Sequence, residues 1–138
     1  MTNYEMVREF HAAFDHPMSV PFANDELLTL RRRLIEEELK ELTMEMFNGA
    51  FEVSVEGEIS TDTKAKLSKE LADLLYVLYG FAVVYGIPID DVFLRVHSSN
   101  MSKLGADGKP ILREDGKVLK SSNYKEPILD DLFKETVV

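Results

Sequence analysis

Between Asp73 and Asp90 the chain carries no charge for sixteen consecutive residues, Leu74 to Ile89. Such a stretch has few places to go. It is shorter than the roughly 20 apolar residues a helix needs to cross a bilayer. It also holds Tyr76, Tyr79, Tyr85 and Pro88. A buried core helix fits better. It is expected from about Thr61 to Tyr85, capped by Ser60 or Thr61 and stopped by Gly86, with Pro88 opening the next helix. From Leu71 onward this helix is apolar nearly all round, so neighbouring helices or a second chain must cover every side.

The remaining patterns supply the neighbours. Val7, Phe10, Ala13 and Phe14 share one face of an expected first helix, from about Asn3 to Phe14, which His16-Pro17 and Pro21 break. Leu27, Leu30, Leu34, Ile35, Leu39, Leu42 and Met46 advance in steps of three and four, as in an amphipathic second helix from about Asp25 to Asn48. Asn24 or Asp25 can cap its start, Glu26 suits its first turn, and Gly49 is its expected stop. Phe51 to Ser60 reads as a β-like loop or short linker, since Gly57 argues against helix. A fourth helix is expected from about Asp90 to Ser102, with Val92, Phe93 and Val96 facing inward. Beyond it, Ile111-Leu112-Arg113 and Lys117-Val118-Leu119 flank Asp115-Gly116, the pattern of a tight hairpin. Pro127 opens a short last helix to about Lys134. The expectation is an all-α fold: one domain over 1–138, a bundle of four to five helices with a C-terminal hairpin-like loop, forming oligomers.

Composition narrows the chemistry. A chain of 138 residues that is 45% hydrophobic and 30% charged suits one globular domain. It has no cysteine, which removes disulfides, thiolate–zinc sites and thiol nucleophiles and makes a cytoplasmic setting the expectation. The first fifteen residues include Glu5, Arg8, Glu9 and Asp15 and lead into no apolar run, unlike a signal peptide. The net charge is −9, unevenly spread. From Arg95 to Lys125, seven basic residues face three acids, a balance of +4 that leaves −13 for the rest. A nucleic-acid binder would be basic over its whole surface, so neither nucleic acid nor membrane is an expected partner. An acidic body with one basic segment (Arg95, Lys103, Lys117 and Lys120 among its cations) suits a metal together with phosphate.

Two helices carry acids three residues apart: Glu38 and Glu41, with Glu37 beside them, and Glu70 and Asp73. Residues i and i+3 share a helical face, so antiparallel packing brings the four together. For the second helix alone a solvated acidic face is the alternative, because Glu36 to Glu38 follow Arg31 to Arg33. Asp73 is different, since Leu71, Ala72, Leu74 and Leu75 surround it and a lone acid there is costly. Carboxylates about 4 Å apart repel by about 4 kcal/mol per pair at an effective dielectric near 20. A cation is therefore required, and oxygen ligands without thiolate or imidazole favour Mg²⁺, with Mn²⁺ as substitute. A di-iron bundle would need Glu-x-x-His pairs, and none of the fifteen glutamates has histidine three residues on. His11, His16 and His97 read as surface or packing residues.

Glu37-Glu38-Leu39-Lys40-Glu41, twenty-eight residues, then Glu70-Leu71-Ala72-Asp73 resembles the EExxE…ExxD signature of the all-α nucleoside triphosphate pyrophosphohydrolases. That superfamily takes in MazG-like proteins, dimeric dUTPases and phosphoribosyl-ATP pyrophosphohydrolases. Val7-Arg8-Glu9-Phe10-His11, with Phe14, is similar to the opening helix of a MazG-like, dUTPase-related subgroup. His97-Ser98-Ser99-Asn100-Met101-Ser102-Lys103 and Arg113-Glu114-Asp115-Gly116-Lys117-Val118-Leu119-Lys120 resemble its C-terminal phosphate segment. The resemblance implies Glu38, Glu41, Glu70 and Asp73 as metal ligands and Glu37 as the residue that orients or deprotonates water. It further implies Asn100 and Lys103 at the nucleotide, with Lys117, Lys120 and Tyr124 over its phosphates. The implied activity is Mg²⁺-dependent hydrolysis of a nucleoside triphosphate such as dUTP to monophosphate and pyrophosphate, by a homodimer or dimer of dimers. Phosphoribosyl-ATP or another nucleotide is the alternative substrate. A non-catalytic helical module for dimerisation or nucleotide binding is the alternative of another class.

Overall fold

The computed structural model describes residues 1–23 and 25–134. Four α-helices dominate: α1 (Asn3–Ala13), α2 (Asp25–Glu56), α3 (Thr61–Tyr85) and α4 (Ile89–Met101). They are followed by two short strands, β1 (Ile111–Leu112) and β2 (Val118–Leu119), and a 3₁₀ turn at Asp130–Phe133. The fold is all-α, as expected, and divides into two compact units, the first ending at Ile87 and the second opening at Pro88. Among the described residues no single helix is long and apolar enough to cross a membrane.

In the first unit, local chemistry fixes where each helix begins. Thr2 and Glu5 form a capping box on α1: the Glu5 N–H donates to Thr2 Oγ1 (3.1 Å) and the Thr2 N–H to Glu5 Oε2 (2.6 Å). Asp25 and Glu26 lie in the first turn of α2, where a carboxylate meets the positive end of the helix dipole. The expected cap Asn24 lies outside the described residues. Ser60 caps α3 by accepting from the Thr63 N–H at 3.2 Å. Gly86 ends α3 in the left-handed region (φ 62°), and the Ile87 N–H returns to the Ala82 carbonyl at 2.9 Å, closing the helix in the Schellman manner. The N–H groups of Ser19 and Val20 reach the Val83 and Val84 carbonyls at 3.0 and 2.8 Å. They thereby pin the α1–α2 connection along the end of α3.

Two sequence expectations for α2 need correction. Gly49 does not stop the helix, which runs on through Phe51 to Glu56 and ends only at Gly57 (φ 85°). A helical glycine costs about 1 kcal/mol relative to alanine, too little to end a helix whose continuation is tied to the start of α3 through Glu52. Gly49 is buried, and a Cβ there would lie 3.4 Å from Ile59, 3.5 Å from Leu67 and 3.7 Å from Thr63. The apolar stripe is not a buried seam either: Leu30, Leu39 and Met46 are each about half exposed. The two buried residues of α2 are Arg31 and Gly49.

These two define how α2 meets α3. Gly49 faces Thr63 and Leu67, while Arg31 faces Gly80, so the helices run antiparallel. The connection between them is short, 57–60, and Glu52 ties it down. The Glu52 carboxylate accepts from the Ser60 N–H and the Thr63 hydroxyl, and these bonds, Ser60 first, hold its carboxyl below the usual range. The core lies at the other end of the hairpin, where α1 and the 19–22 segment cover the last turns of α3. Val7, Ala82, Val83, Val84 and Tyr85 are buried there, with Phe22 stacked on Tyr85 at 4.0 Å. The remainder of α3 is less covered than its composition demands, with Leu71, Leu75 and Leu78 between 43% and 50% exposed.

In the second unit, α4 begins and ends within a residue of expectation, but Phe93 is exposed rather than inward-facing; Val92 and Val96 are half-buried. The hairpin forms as read, with Ile111 opposite Leu119 and Leu112 opposite Val118. The Gly116 N–H closes its turn on the Arg113 carbonyl at 2.9 Å, with Gly116 at φ 86°, the left-handed position such turns reserve for glycine. The expected last helix is a single 3₁₀ turn that starts at Asp130 rather than Pro127. Arg95 Nη1 holds it to α4, donating to the Ile128 carbonyl (2.9 Å) and pairing with Asp131.

Candidate active site

The antiparallel α2–α3 pairing brings three of the predicted acids together. Carboxylate oxygens of Glu38, Glu41 and Glu70 all lie within 4.8 Å of one another. Asp73, one turn beyond Glu70, adds its charge to Glu38 and is paired with Lys69 Nζ at 2.6 Å. The same ammonium lies 3.7 Å from Glu70 Oε1. Glu37 is on the exposed side of α2 and belongs to no such cluster.

The cluster is electrostatically incomplete. Glu38 Oε2 and Glu70 Oε2 are buried with no hydrogen-bond partner, although a buried carboxylate oxygen ordinarily has one. Burial first, then the charge of Glu41 and a hydrogen bond shared with it, push the Glu38 carboxyl above the usual range, with Asp73 and Glu70 adding to the effect. The ammonium of Lys69, paired with Asp73 at the edge of the cluster, is only a partial substitute for a cation. The donor set fits a hard divalent ion: oxygen ligands from facing helices, two of their lone-pair positions unused.

A second polar group is buried in the same unit, and sequence reasoning missed it. Arg31 lies two turns before Glu38 on α2 and is 6% exposed; its Nε has no hydrogen-bond partner. A Cβ on Gly80 would lie 3.1 Å from Arg31 Nη1 and 3.3 Å from His11 Nε2, so both side chains crowd the same bare helix surface. His11 is 2% exposed and donates from Nδ1 to the Pro17 carbonyl at 3.1 Å. Burial lowers its pKa most; Arg31 and His16 lower it further, against that hydrogen bond. His11 is thus a packing residue, as expected. The one available signal was Gly80 itself, a glycine inside an otherwise apolar helix, which marks close approach by something large.

The predicted phosphate-binding residues lie in the second unit. Asn100 is exposed near the end of α4, and the Lys103 N–H donates to its carbonyl at 3.1 Å. Lys117 and Lys120 are exposed on either side of β2. Lys120 Nζ lies 4.6 Å from the centre of the Tyr124 ring, a cation–π contact. Tyr124, Asn123, Ser122 and Lys125, with Met101 and Leu104, line an open cleft of about 540 Å³. Serine hydroxyls to which the sequence reading gave no role hold this wall. Ser121 Oγ donates to the Leu104 carbonyl (2.7 Å), Ser99 Oγ to the Lys125 carbonyl (2.7 Å), and Ser102 Oγ accepts from the Lys125 N–H (2.9 Å).

Comparison with known proteins bears on the chain's family. An uncharacterised protein of Acanthamoeba polyphaga mimivirus is 30% identical over 95 residues, 64% of this chain. The chain spans only about a third (33%) of that relative's length. A solved structure of a candidate NTP pyrophosphohydrolase from Exiguobacterium sp. 255-15 is 26% identical and matches 92% of this chain and 89% of its own, at a TM-score of 0.45. The family model for phosphoribosyl-ATP pyrophosphohydrolase matches residues 7–100, a span that includes Glu38, Glu41, Glu70 and Asp73. With more than half its length matched, this chain belongs to the phosphoribosyl-ATP pyrophosphohydrolase family, within the all-α NTP pyrophosphohydrolases.

Proposed function

We propose that the chain is a Mg²⁺-dependent nucleotide pyrophosphohydrolase that converts a nucleoside triphosphate, dUTP among the candidates, to its monophosphate and pyrophosphate. One observation carries the reading: acids from two facing helices converge, with Glu38 Oε2 and Glu70 Oε2 buried and unpartnered. Glu38, Glu41, Glu70 and Asp73 would hold the ion, with Mn²⁺ as substitute. When bound, a divalent ion of this kind acidifies water and offsets charge on phosphate oxygens.

The chain's own residues do the rest. Glu37, exposed beside the cluster, orients the attacking water and accepts its proton. Asn100, Lys103, Lys117, Lys120 and Tyr124 bind the nucleotide and its phosphates. Positioning and electrostatics suffice for such a transfer, and no covalent enzyme intermediate is invoked. We take both units to serve this one activity in the cytoplasm, in a homodimer or dimer of dimers. Support for association comes from the half-exposed Leu71, Leu75 and Leu78 on α3 and from Phe47 and Phe51 on α2, which are 71% and 72% exposed.

The family name favours a second substrate, phosphoribosyl-ATP. A panel of nucleoside triphosphates and phosphoribosyl-ATP, read by pyrophosphate release with and without Mg²⁺, separates the two. Glu38→Gln and Asp73→Asn are expected to abolish release while leaving the helical circular dichroism intact. Near wild-type release from either variant would overturn the ligand assignment. Saturable binding of a non-hydrolysable analogue with no hydrolysis of any nucleotide in the panel would instead indicate a binding module.

A further inference from the structure

Lys69 has no place in the proposed reaction, yet among the described residues its ammonium is the cation ion-paired with the acidic cluster. It lies 2.6 Å from Asp73 and 3.7 Å from Glu70, and the charge of Glu41 acts on it as well. Its i, i+4 spacing from Asp73 lets the side chain lie along α3 and reach the site from its rim. Two facts separate it from an ordinary surface ion pair. The group it serves is three carboxylates within 4.8 Å of one another, with Asp73 one turn away, so its charge opposes several repulsions at once. It also compensates only the rim: Glu38 Oε2 and Glu70 Oε2 stay buried and unpartnered. At 69% exposure the Lys69 side chain is free to swing into solvent, whereas Glu38 and Glu70 are part-buried between the helices.

We infer that Lys69 is a resident counter-cation that sets the metal affinity of the site. With no divalent ion bound, its ammonium compensates Asp73 and Glu70 and lets the four acids coexist. For Asp73 to give Oδ2 to a metal, that ion pair must first break. Metal binding is therefore an exchange of one cation for another, and the lysine lowers apparent affinity while protecting the metal-free fold. The inference rests on the metal-site reading proposed above. It adds a residue that touches neither water nor substrate and acts through Asp73, so Lys69 is a positioning residue.

The test is Mn²⁺ titration calorimetry on the full chain, with melting in EDTA as a second readout. Four proteins are compared: wild type, Lys69→Met, Lys69→Arg and Lys64→Met, the last an exposed lysine on the same helix outside the cluster. Lys69→Met is expected to bind Mn²⁺ at least about fivefold more tightly, the effect of removing one charge a few ångströms from the site. In EDTA it should melt below wild type. Lys69→Arg should keep wild-type values, and Lys64→Met should change neither. Unchanged or weaker binding by a folded Lys69→Met protein would overturn the inference, as would an equal gain in Lys64→Met. If Lys69→Met fails to fold, Lys69→Gln is measured by the same criteria. Wild type that binds no Mn²⁺ would overturn the site reading, and the inference with it; wild type that binds, with no gain in the variant, removes the inference alone.

Discussion

Glu38 is at odds with its surroundings until a cation arrives. Burial and three neighbouring acids favour its protonated form, and the geometry that raises its energy is the geometry that offers a site. Glu38→Gln removes the repulsion together with the ligand. The metal-free variant is expected to gain about 1 kcal/mol, or about 3 °C in melting temperature, while losing turnover. Calorimetry of both proteins in EDTA checks this, and a variant that melts lower than wild type would contradict it. At this scale the acids were legible, because i, i+3 spacing on two separate helices is a pattern that the backbone period alone can converge. Arg31 was not. A basic residue in the run Arg31-Arg32-Arg33 reads as solvated, and only the glycine opposite, forty-nine positions away, makes room for it. Lys69 was missed for a similar reason: its role appears only once Asp73 is known to meet acids from α2.

Glycine plays opposite parts at the two ends of the α2–α3 interface. At Gly49 a methyl group would make ordinary contacts with Ile59, Leu67 and Thr63. Gly49→Ala is expected to stabilise the protein by about 0.5–1 kcal/mol through helix propensity, whereas leucine there would overpack. At Gly80 the methyl would press on Arg31 and His11, both buried. Gly80→Ala is expected to cost about 1–3 kcal/mol. Chemical denaturation of the pair decides both, and equal effects at the two sites would refute the distinction.

The α1–α3 contact should be sensitive to acid through His11. Burial, Arg31 and His16 depress its pKa from 6.5 in the folded protein. Its contribution is present above pH 6.5 and is lost as pH falls through the folded value, where the unfolded chain binds the proton more readily. Melting temperature should therefore drop as pH falls below 6.5, and His11→Gln should flatten that slope. An unaltered slope in the variant would assign the acid sensitivity elsewhere. The helix-stop reading at Gly49 failed at this same scale. A glycine says that a helix is weaker, not that it ends, and the tie from Glu52 to Ser60 and Thr63 was not visible in any local window.

For the whole molecule, the exposed leucines of α3 and phenylalanines of α2 are hard to reconcile with an isolated chain. Sedimentation equilibrium is expected to return at least twice the 15.7 kDa of one chain; a monomer at working concentration would remove the proposed assembly. Chelation should abolish pyrophosphate release and lower the melting temperature together, since an ion bound only by the folded state stabilises it by mass action. Loss of activity with no thermal shift would place the metal requirement on the substrate rather than on the protein.

Arg31 and Gly49 stand eighteen residues apart on α2, about five whole turns, so both face α3 and bracket Glu38 and Glu41 between them. The pair works as a key with two bits, one bulky and one bare, matched to a lock cut into α3. Sliding one helix past the other by a single turn would set the guanidinium against a side chain and the bare patch against nothing. The spacing of the acids is thus guarded from outside the site. A one-residue deletion between Glu41 and Gly49, touching no ligand, would twist the two bits about 100° out of phase and disassemble the centre at a distance.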